Sequence, residues 1–201
     1  FAIADSLNKA KQEARDKSKV QARILTKLLY RHWTSWVDDK RQHIFVINAD
    51  GTNPRNVTPG DRDAVPTSST FSTGDDFSFS PDGKEIAYTA TPIPVHEESW
   101  STNHDIYTVN LETGERKQIT TNMAADVFPQ YSPNGKFIAY RAQARAGFEA
   151  DRWQLMLYDR AMSASGATGK IKSITPNFDT NVDGFVWASD SKTLYTSAEE
   201  K

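Results

Sequence analysis

The sequence predicts an all-β chain: a partial β-propeller of four-stranded antiparallel blades, about three blade equivalents, with a short N-terminal helical insertion. Three observations carry this reading. One phrase occurs three times, as Phe77-Ser-Phe-Ser-Pro-Asp-Gly-Lys-Glu-Ile-Ala-Tyr88, Pro129-Gln-Tyr-Ser-Pro-Asn-Gly-Lys-Phe-Ile-Ala-Tyr140 and Phe185-Val-Trp-Ala-Ser-Asp-Ser-Lys-Thr-Leu-Tyr195. Ser80 and Ser132 in this phrase lie 52 residues apart, and Ala188 follows 56 later, a period that belongs to stacked supersecondary units. After each of the first two copies comes a second hairpin pattern, in which polar residues alternate with β-branched or aromatic ones. A β-sandwich also has short strands and regular turns. It does not repeat a phrase at fixed offsets.

Residues 1–29 form a helical insertion and strand lead-in. Ile3, Leu7, Ala10 and Ala14 recur at helical spacing among charged residues and predict an amphipathic helix over 4–17. From Lys19 the period changes: Val20, Ala22 and Ile24 alternate with Gln21 and Arg23, and an aromatic, strand-like stretch continues through Tyr30-Arg-His-Trp33 and Trp36. So short a helix cannot bury a core of its own, so it reads as an insertion in the first, partial blade. His32, Trp33 and Trp36 are expected to pack between blades, with His43 on a strand face.

Residues 30–58 end that partial blade, in a hairpin over 43–58 that turns at Asp50-Gly51. A complete blade follows over 75–120. Its strands 76–80 and 85–90 flank Ser80-Pro-Asp-Gly83, where proline presets φ and glycine supplies a left-handed residue. Its strands 105–111 and 116–120 flank Glu112-Thr-Gly-Glu115. The blade over 127–175 repeats the plan, with Met162 to Thr168 lengthening the turn of its second hairpin, 154–175. Residues 184–201 start a further blade, whose inner hairpin spans 184–198. A propeller closes with at least about four blades, so the chain reads as a piece of a longer protein.

Composition narrows function. The 201 residues are 37% hydrophobic and 25% charged, with a net charge of −2 and no cysteine. No apolar run approaches the ~18 residues of a membrane span, and no basic stripe offers itself to phosphates, so neither a membrane span nor a nucleic-acid partner is predicted. Without cysteine there is no disulfide, no Cys-ligated zinc and no thiol nucleophile within the chain, a composition compatible with a periplasmic or a cytoplasmic setting. No cofactor is predicted.

Several segments carry a family signature. Tyr30-Arg-His-Trp-Thr-Ser-Trp-Val-Asp-Asp-Lys-Arg-Gln-His-Ile-Phe-Val46 with Asn56-Val-Thr-Pro-Gly60, then Tyr140-Arg-Ala-Gln-Ala-Arg-Ala-Gly-Phe-Glu-Ala-Asp-Arg152, Leu157-Tyr-Asp-Arg160 and Val182-Asp-Gly-Phe-Val-Trp187, resemble the N-terminal propeller of prolyl oligopeptidase-family serine peptidases. The similarity is to the acylaminoacyl-peptidase-like and bacterial dipeptidyl-peptidase-like branch. The repeat phrase is shared with non-enzymatic, protein-binding propellers of the Tol-system type, the alternative reading. The peptidase resemblance implies an α/β-hydrolase catalytic domain in the same protein, short peptide substrates, and a propeller that gates the substrate cavity; self-association into a homo-oligomer is left open. In that family the nucleophile sits on a G-x-S-x-G elbow. No such elbow occurs here, so no catalytic residue is assigned in this chain and the Ser-Asp-His triad is expected beyond Lys201.

The irregular loops 59–74, 91–104 and 143–153 are where recognition is expected. Within 143–153, Glu149, Asp151 and Arg152 are the candidate substrate-binding residues, with Arg145 nearby. A carboxylate here can pair with a peptide α-amino group; equally, the cluster can be an ion network that only orders the loop. His96-Glu-Glu98, Trp100 and His104 match no metal-ligand spacing, and no metal site is predicted. Glu97-Glu98 is similar to the paired glutamates of dipeptidyl peptidases, but its flanking residues differ and the role does not transfer. Asn56-Val-Thr58 satisfies the glycosylation sequon. Asp61-Arg-Asp63 and Asp75-Asp76 lack calcium-loop spacing and read as turn and strand-entry residues.

Overall fold

A computed structural model describes residues 2–26, 28, 30–32, 34–36, 41–60, 62–65, 76–94, 96–162 and 169–199. Helix α1 spans Ala2–Lys17. The strands are β1 (Arg31–His32), β2 (Ser35–Trp36), β3 (Phe45–Val46), β4 (Arg55–Asn56), β5 (Phe77–Phe79), β6 (Glu85–Ala90), β7 (Asp105–Asn110), β8 (Arg116–Gln118), β9 (Asp126–Tyr131), β10 (Phe137–Ala142), β11 (Gln154–Asp159), β12 (Lys170–Ser173), β13 (Gly184–Trp187) and β14 (Leu194–Ser197). Strands β5–β8 and β9–β12 form two four-stranded antiparallel meanders, the first and second full blades. Hairpins β3–β4 and β13–β14 flank them. The architecture is a partial β-propeller.

The repeated phrase makes the same turn each time. In the first two copies the Gly83 and Gly135 N–H groups donate to Ser80 and Ser132 carbonyls at 2.9 and 2.8 Å, with φ of 69° and 70°. That left-handed step is what glycine allows at no steric cost. The third copy has serine instead, and Ser191 takes φ 57° while its N–H donates to Ala188 O at 3.2 Å. Asp82, Asn134 and Asp190 each accept backbone N–H groups that close their turn.

Blade contacts follow from strand parity, since alternate residues face opposite sides of a sheet. On β6, Ile86, Tyr88 and Ala90 pack with Ile44, Val57 and Ala64 of the partial blade. Ala87, on the opposite face, joins Tyr131, Ile138, Tyr140 and Ala142 in the junction between the full blades. Ala139 and Leu155 then meet Val182 and Phe185 of the next hairpin. Ile86, Ile106 and Ile138 are fully buried, each contributing about 1.5–3 kcal/mol through lost apolar exposure. Both faces of the full blades are thus apolar, as befits a sheet covered on both sides. Val186 and Tyr195, paired across β13 and β14, are 63% exposed each, opposite the face that carries Phe185 and Trp187.

The N-terminal region departs from expectation. Helix α1 forms, yet every described side chain from 5 to 26 is exposed, and Val20, Ala22 and Ile24 lie in no strand. Alternation yields a strand only where a neighbouring edge and a buried face reward it. Trp36 does not pack between blades: it is 45% exposed, with the Arg23 guanidinium 4.1 Å from its ring centre and Tyr30 at 6.1 Å. Trp33, Asp61, Asp75, the 66–74 part of loop 59–74 and the 163–168 part of the lengthened turn lie outside the described residues.

Candidate functional site on the long-loop face

The tight turns occupy one end of the blades, and the loops 91–104, 121–125, 143–153 and 174–183 the other. These loops are tied to one another. Gly147 N–H donates to Thr102 Oγ1 at 3.0 Å, Gln143 N–H to Ala125 O at 2.9 Å, and Val182 N–H to Trp153 O at 3.0 Å. Trp153 N–H donates to Asn181 Oδ1 at 2.9 Å. Each loop also presents a large apolar side chain to solvent, namely Trp100, Met123, Phe148 and Phe178.

Loop 143–153 is organised from within. Buried Gln143 donates from Nε2 to the carbonyls of Glu149 and Asp151, both at 2.9 Å. The Asp151 carboxylate accepts the Ala144 and Arg145 N–H groups, each at 2.8 Å. Burial alone would lift Asp151, but those backbone bonds and the Arg145 charge prevail and hold it below the ordinary carboxylate range. Arg152 donates to the carbonyls of Thr175 and Pro176 at 3.3 Å, and Arg145 lies 4.1 Å over the Phe148 ring. Glu149 is exposed, and among the described residues its carboxylate has no partner. Of the three candidates, Asp151 and Arg152 are engaged in ordering the loop and Glu149 is presented outward by it.

His96 and Glu97 form an exposed pair at 3.3 Å in loop 91–104. His104 is largely enclosed at the loop's end, and burial holds its imidazole below its ordinary value. His43 sits just before β3, bonded to Gly60 O at 3.0 Å and to the Asn56 amide at 2.8 Å. A cleft of about 430 Å³ opens beside residues 58–60 and 62–64, walled by stacked Tyr88 and Tyr107 and by Arg62 and Arg116. Burial pushes the Tyr88 phenol up to about 12.

Three features were not foreseen. Asp76, read as a strand-entry residue, is wholly buried and accepts the Phe128 N–H at 2.9 Å across the junction of the full blades, holding Phe128 at φ 59° where β9 bulges against β10. Arg141, 8% exposed, lies 4.7 Å over the Trp153 ring, donates to Asp183 O and feels the Asp76 and Asp183 charges. Asp105 and Asp126 are both buried beside Thr120. Each joins residues far apart in sequence, and only the aspartates preceding apolar strands hinted at them.

Blades of this make, joined face to face and bearing one loop-rich end, define a portion of a β-propeller. Comparison with known proteins agrees. TolB from Acinetobacter baumannii superposes with a TM-score of 0.53 at 21% identity, covering 77% of this chain and 31% of that one, a likeness of fold. Dipeptidyl-peptidase 5 of Porphyromonas gingivalis is 40% identical over 184 residues, 90% of this chain and 26% of that protein. Dipeptidyl-peptidase 5 of Porphyromonas endodontalis is 34% identical over 154 residues, 75% of this chain and 22% of that protein. No protein-family model matches the chain. The chain belongs, as a propeller portion, to the peptidase family of these dipeptidyl-peptidase 5 proteins, and it spans about a quarter of their length.

Proposed function

We propose that this chain is the non-catalytic propeller segment of a serine peptidase that releases dipeptides or acylaminoacyl residues from short peptides, and that its long-loop face gates entry and shapes the substrate cavity. The observation that carries the reading is the 40% identity to a dipeptidyl-peptidase over 90% of this chain, in a sequence with no nucleophile elbow of its own. The catalytic Ser, Asp and His then belong to an α/β-hydrolase domain elsewhere in the same protein. The exposed apolar face of Val186 and Tyr195 suits the packing of a further blade.

Within the gate, Glu149 is the residue that meets the substrate, its carboxylate pairing with the free α-amino group and so setting the register of cleavage. Asp151 and Arg152 keep the loop in shape behind it. Fluorophosphonate labelling of the full-length protein, with the modified residue located by mass spectrometry, tests the class: a labelled serine outside this chain is expected, and a folded, unlabelled product overturns it. Glu149→Gln is expected to raise KM for free-amine peptides by about tenfold, the loss of a charge-assisted bond of about 1.4 kcal/mol. An unchanged KM removes Glu149 from the site.

A further inference from the structure

The cleft between the partial blade and the first full blade combines two guanidinium groups with an aromatic wall. Ala64 from one side and Tyr88 and Ala90 from the other line it, and the same residues pack the junction of those two blades. Pro59, Gly60, Arg62 and Asp63 belong to loop 59–74 and Thr91 opens loop 91–104, so the cleft borders the long-loop face. Its volume of about 430 Å³ falls at the lower end of the range of small-molecule pockets, about 300–1,000 Å³. That is room for the end of a peptide and not for a folded partner.

The two arginines are positioned without being paired off. Arg116 reaches from β8 across the junction, where its Nη1 donates to Pro59 O at 2.8 Å, a bond that fixes the side chain and leaves the rest of its donor fork available. Arg62 approaches from loop 59–74. Among the described residues neither guanidinium has an ion-pair partner. Asp63, the one acid among the described lining residues, accepts the Gln42 N–H on its Oδ1 at 2.6 Å. Two positive charges thus meet one negative charge in the lining, and the cleft suits an anion. Tyr88 and Tyr107 stack beside them with ring centres 5.8 Å apart and planes 26° from parallel. Burial raises both phenols, so each keeps its proton at neutral pH and contributes a hydroxyl rather than a negative charge.

We propose that this cleft is a carboxylate subsite, in which Arg62 and Arg116 hold the C-terminal carboxylate of a short peptide and the Tyr88–Tyr107 wall takes the side chain next to it. A planar carboxylate matches the guanidinium fork, and a charge-assisted pair in a recessed site is stronger than the same pair on an open surface. A bare phosphate or sulfate would meet the arginines but leave the tyrosine wall, Ala64 and Ala90 in water. A carboxylate that carries an apolar or aromatic group covers both parts of the lining. The anion chemistry stands on the cleft alone; the choice of a peptide as occupant rests on the peptidase reading. On that reading the site selects peptides that bring a free C-terminus to the loop face, and an amidated end fails the requirement.

The test is ligand-observed fluorine NMR on the full-length protein, with N-acetyl-4-fluoro-L-phenylalanine and its carboxamide as probes. The acid is expected to bind with a Kd of about 1 mM or tighter, and the amide about tenfold more weakly or worse. Arg62→Gln, at an exposed side chain, and Arg116→Gln should each weaken the acid about tenfold and bring acid and amide close together, while Lys172→Gln, an exposed charge on β12, should change neither. If Arg116→Gln does not fold for want of its Pro59 bond, Arg62→Gln decides the matter. Equal binding of acid and amide, no binding of the acid, or acid binding that survives the arginine substitutions overturns the proposal. So does displacement of the probe by an equal concentration of inorganic phosphate, which would make the cleft a site for bare anions. Fluorophosphonate labelling separates the two readings: a labelled serine without probe binding removes the subsite alone, and probe binding without a labelled serine removes the peptidase and leaves a carboxylate site.

Discussion

Changing Tyr131 to Phe removes a single oxygen from the junction of the two full blades, at a cost set by the partners of that oxygen. The Tyr131 phenol donates to Glu85 Oε1 at 2.5 Å, and Arg160 Nη2 donates to the same oxygen at 2.7 Å. The Arg160 guanidinium lies 5.0 Å from the Tyr131 ring centre, and Nη1 holds the Gly135 carbonyl at 2.7 Å. A hydrogen bond to a charged partner contributes about 1.5–3 kcal/mol. Phenylalanine keeps the packing and most of the ring–guanidinium contact, and Glu85 keeps Arg160. The Arg160 and Glu85 side chains are 30% and 23% exposed, so solvent screens the group and the lower figure, about 1.5 kcal/mol, applies. In equilibrium urea unfolding of the full-length protein followed by tryptophan fluorescence, the change should show as a fall of about 1.5 kcal/mol in the transition that reports the propeller. Combining Tyr131→Phe with Glu85→Gln should cost less than the sum of the two, by about 1 kcal/mol. A fall under about 0.5 kcal/mol, or strict additivity, refutes the reasoning.

Two other perturbations discriminate between local effects. Ser191 accepts the Asn134 N–H at 3.0 Å while holding a left-handed φ of 57°, so Ser191→Ala loses the bond and keeps the strain, at about 1 kcal/mol, whereas Ser191→Gly loses the bond but relieves about as much strain; equilibrium unfolding should rank glycine near wild type and alanine below it. Asp151→Ala should speed amide exchange at Ala144 and Arg145, and in the wild type the same amides should loosen only in acid, because a depressed carboxyl value means that the order persists above the ordinary range and fails as pH falls through the folded value. Unchanged exchange in the variant would remove Asp151 from that role.

Strands were legible wherever local chemistry decides them. Ser-Pro-Asp-Gly and Glu-Thr-Gly-Glu fix their turns through proline and glycine dihedrals, and the expected strands 85–90 and 105–111 match β6 and β7 to within a residue. Residues 20–24 show the converse, since among the described residues their alternation pairs with no strand. The long-loop face was legible from loop length, but not the division of labour within loop 143–153, because which of Glu149, Asp151 and Arg152 is left outward depends on bonds from the Gln143 and Arg152 side chains to backbone carbonyls of residues 149, 151, 175 and 176. Least legible were the junction groups. Asp76 meets Phe128 52 positions on, and Glu85 meets Arg160 75 positions on, and neither pairing leaves a trace in local pattern.

The Asp76–Phe128 bond also bears on how far one repeat can stand without the other. A bulky residue such as Phe128 resists a left-handed dihedral by about 1–2 kcal/mol, so the bulge in β9 is held by a carboxylate that belongs to the preceding blade. The conformation of the second full blade's inner strand therefore depends on a side chain that the first blade supplies. The two repeats are thereby coupled, and local opening of the first removes the bond that holds the bulge of the second.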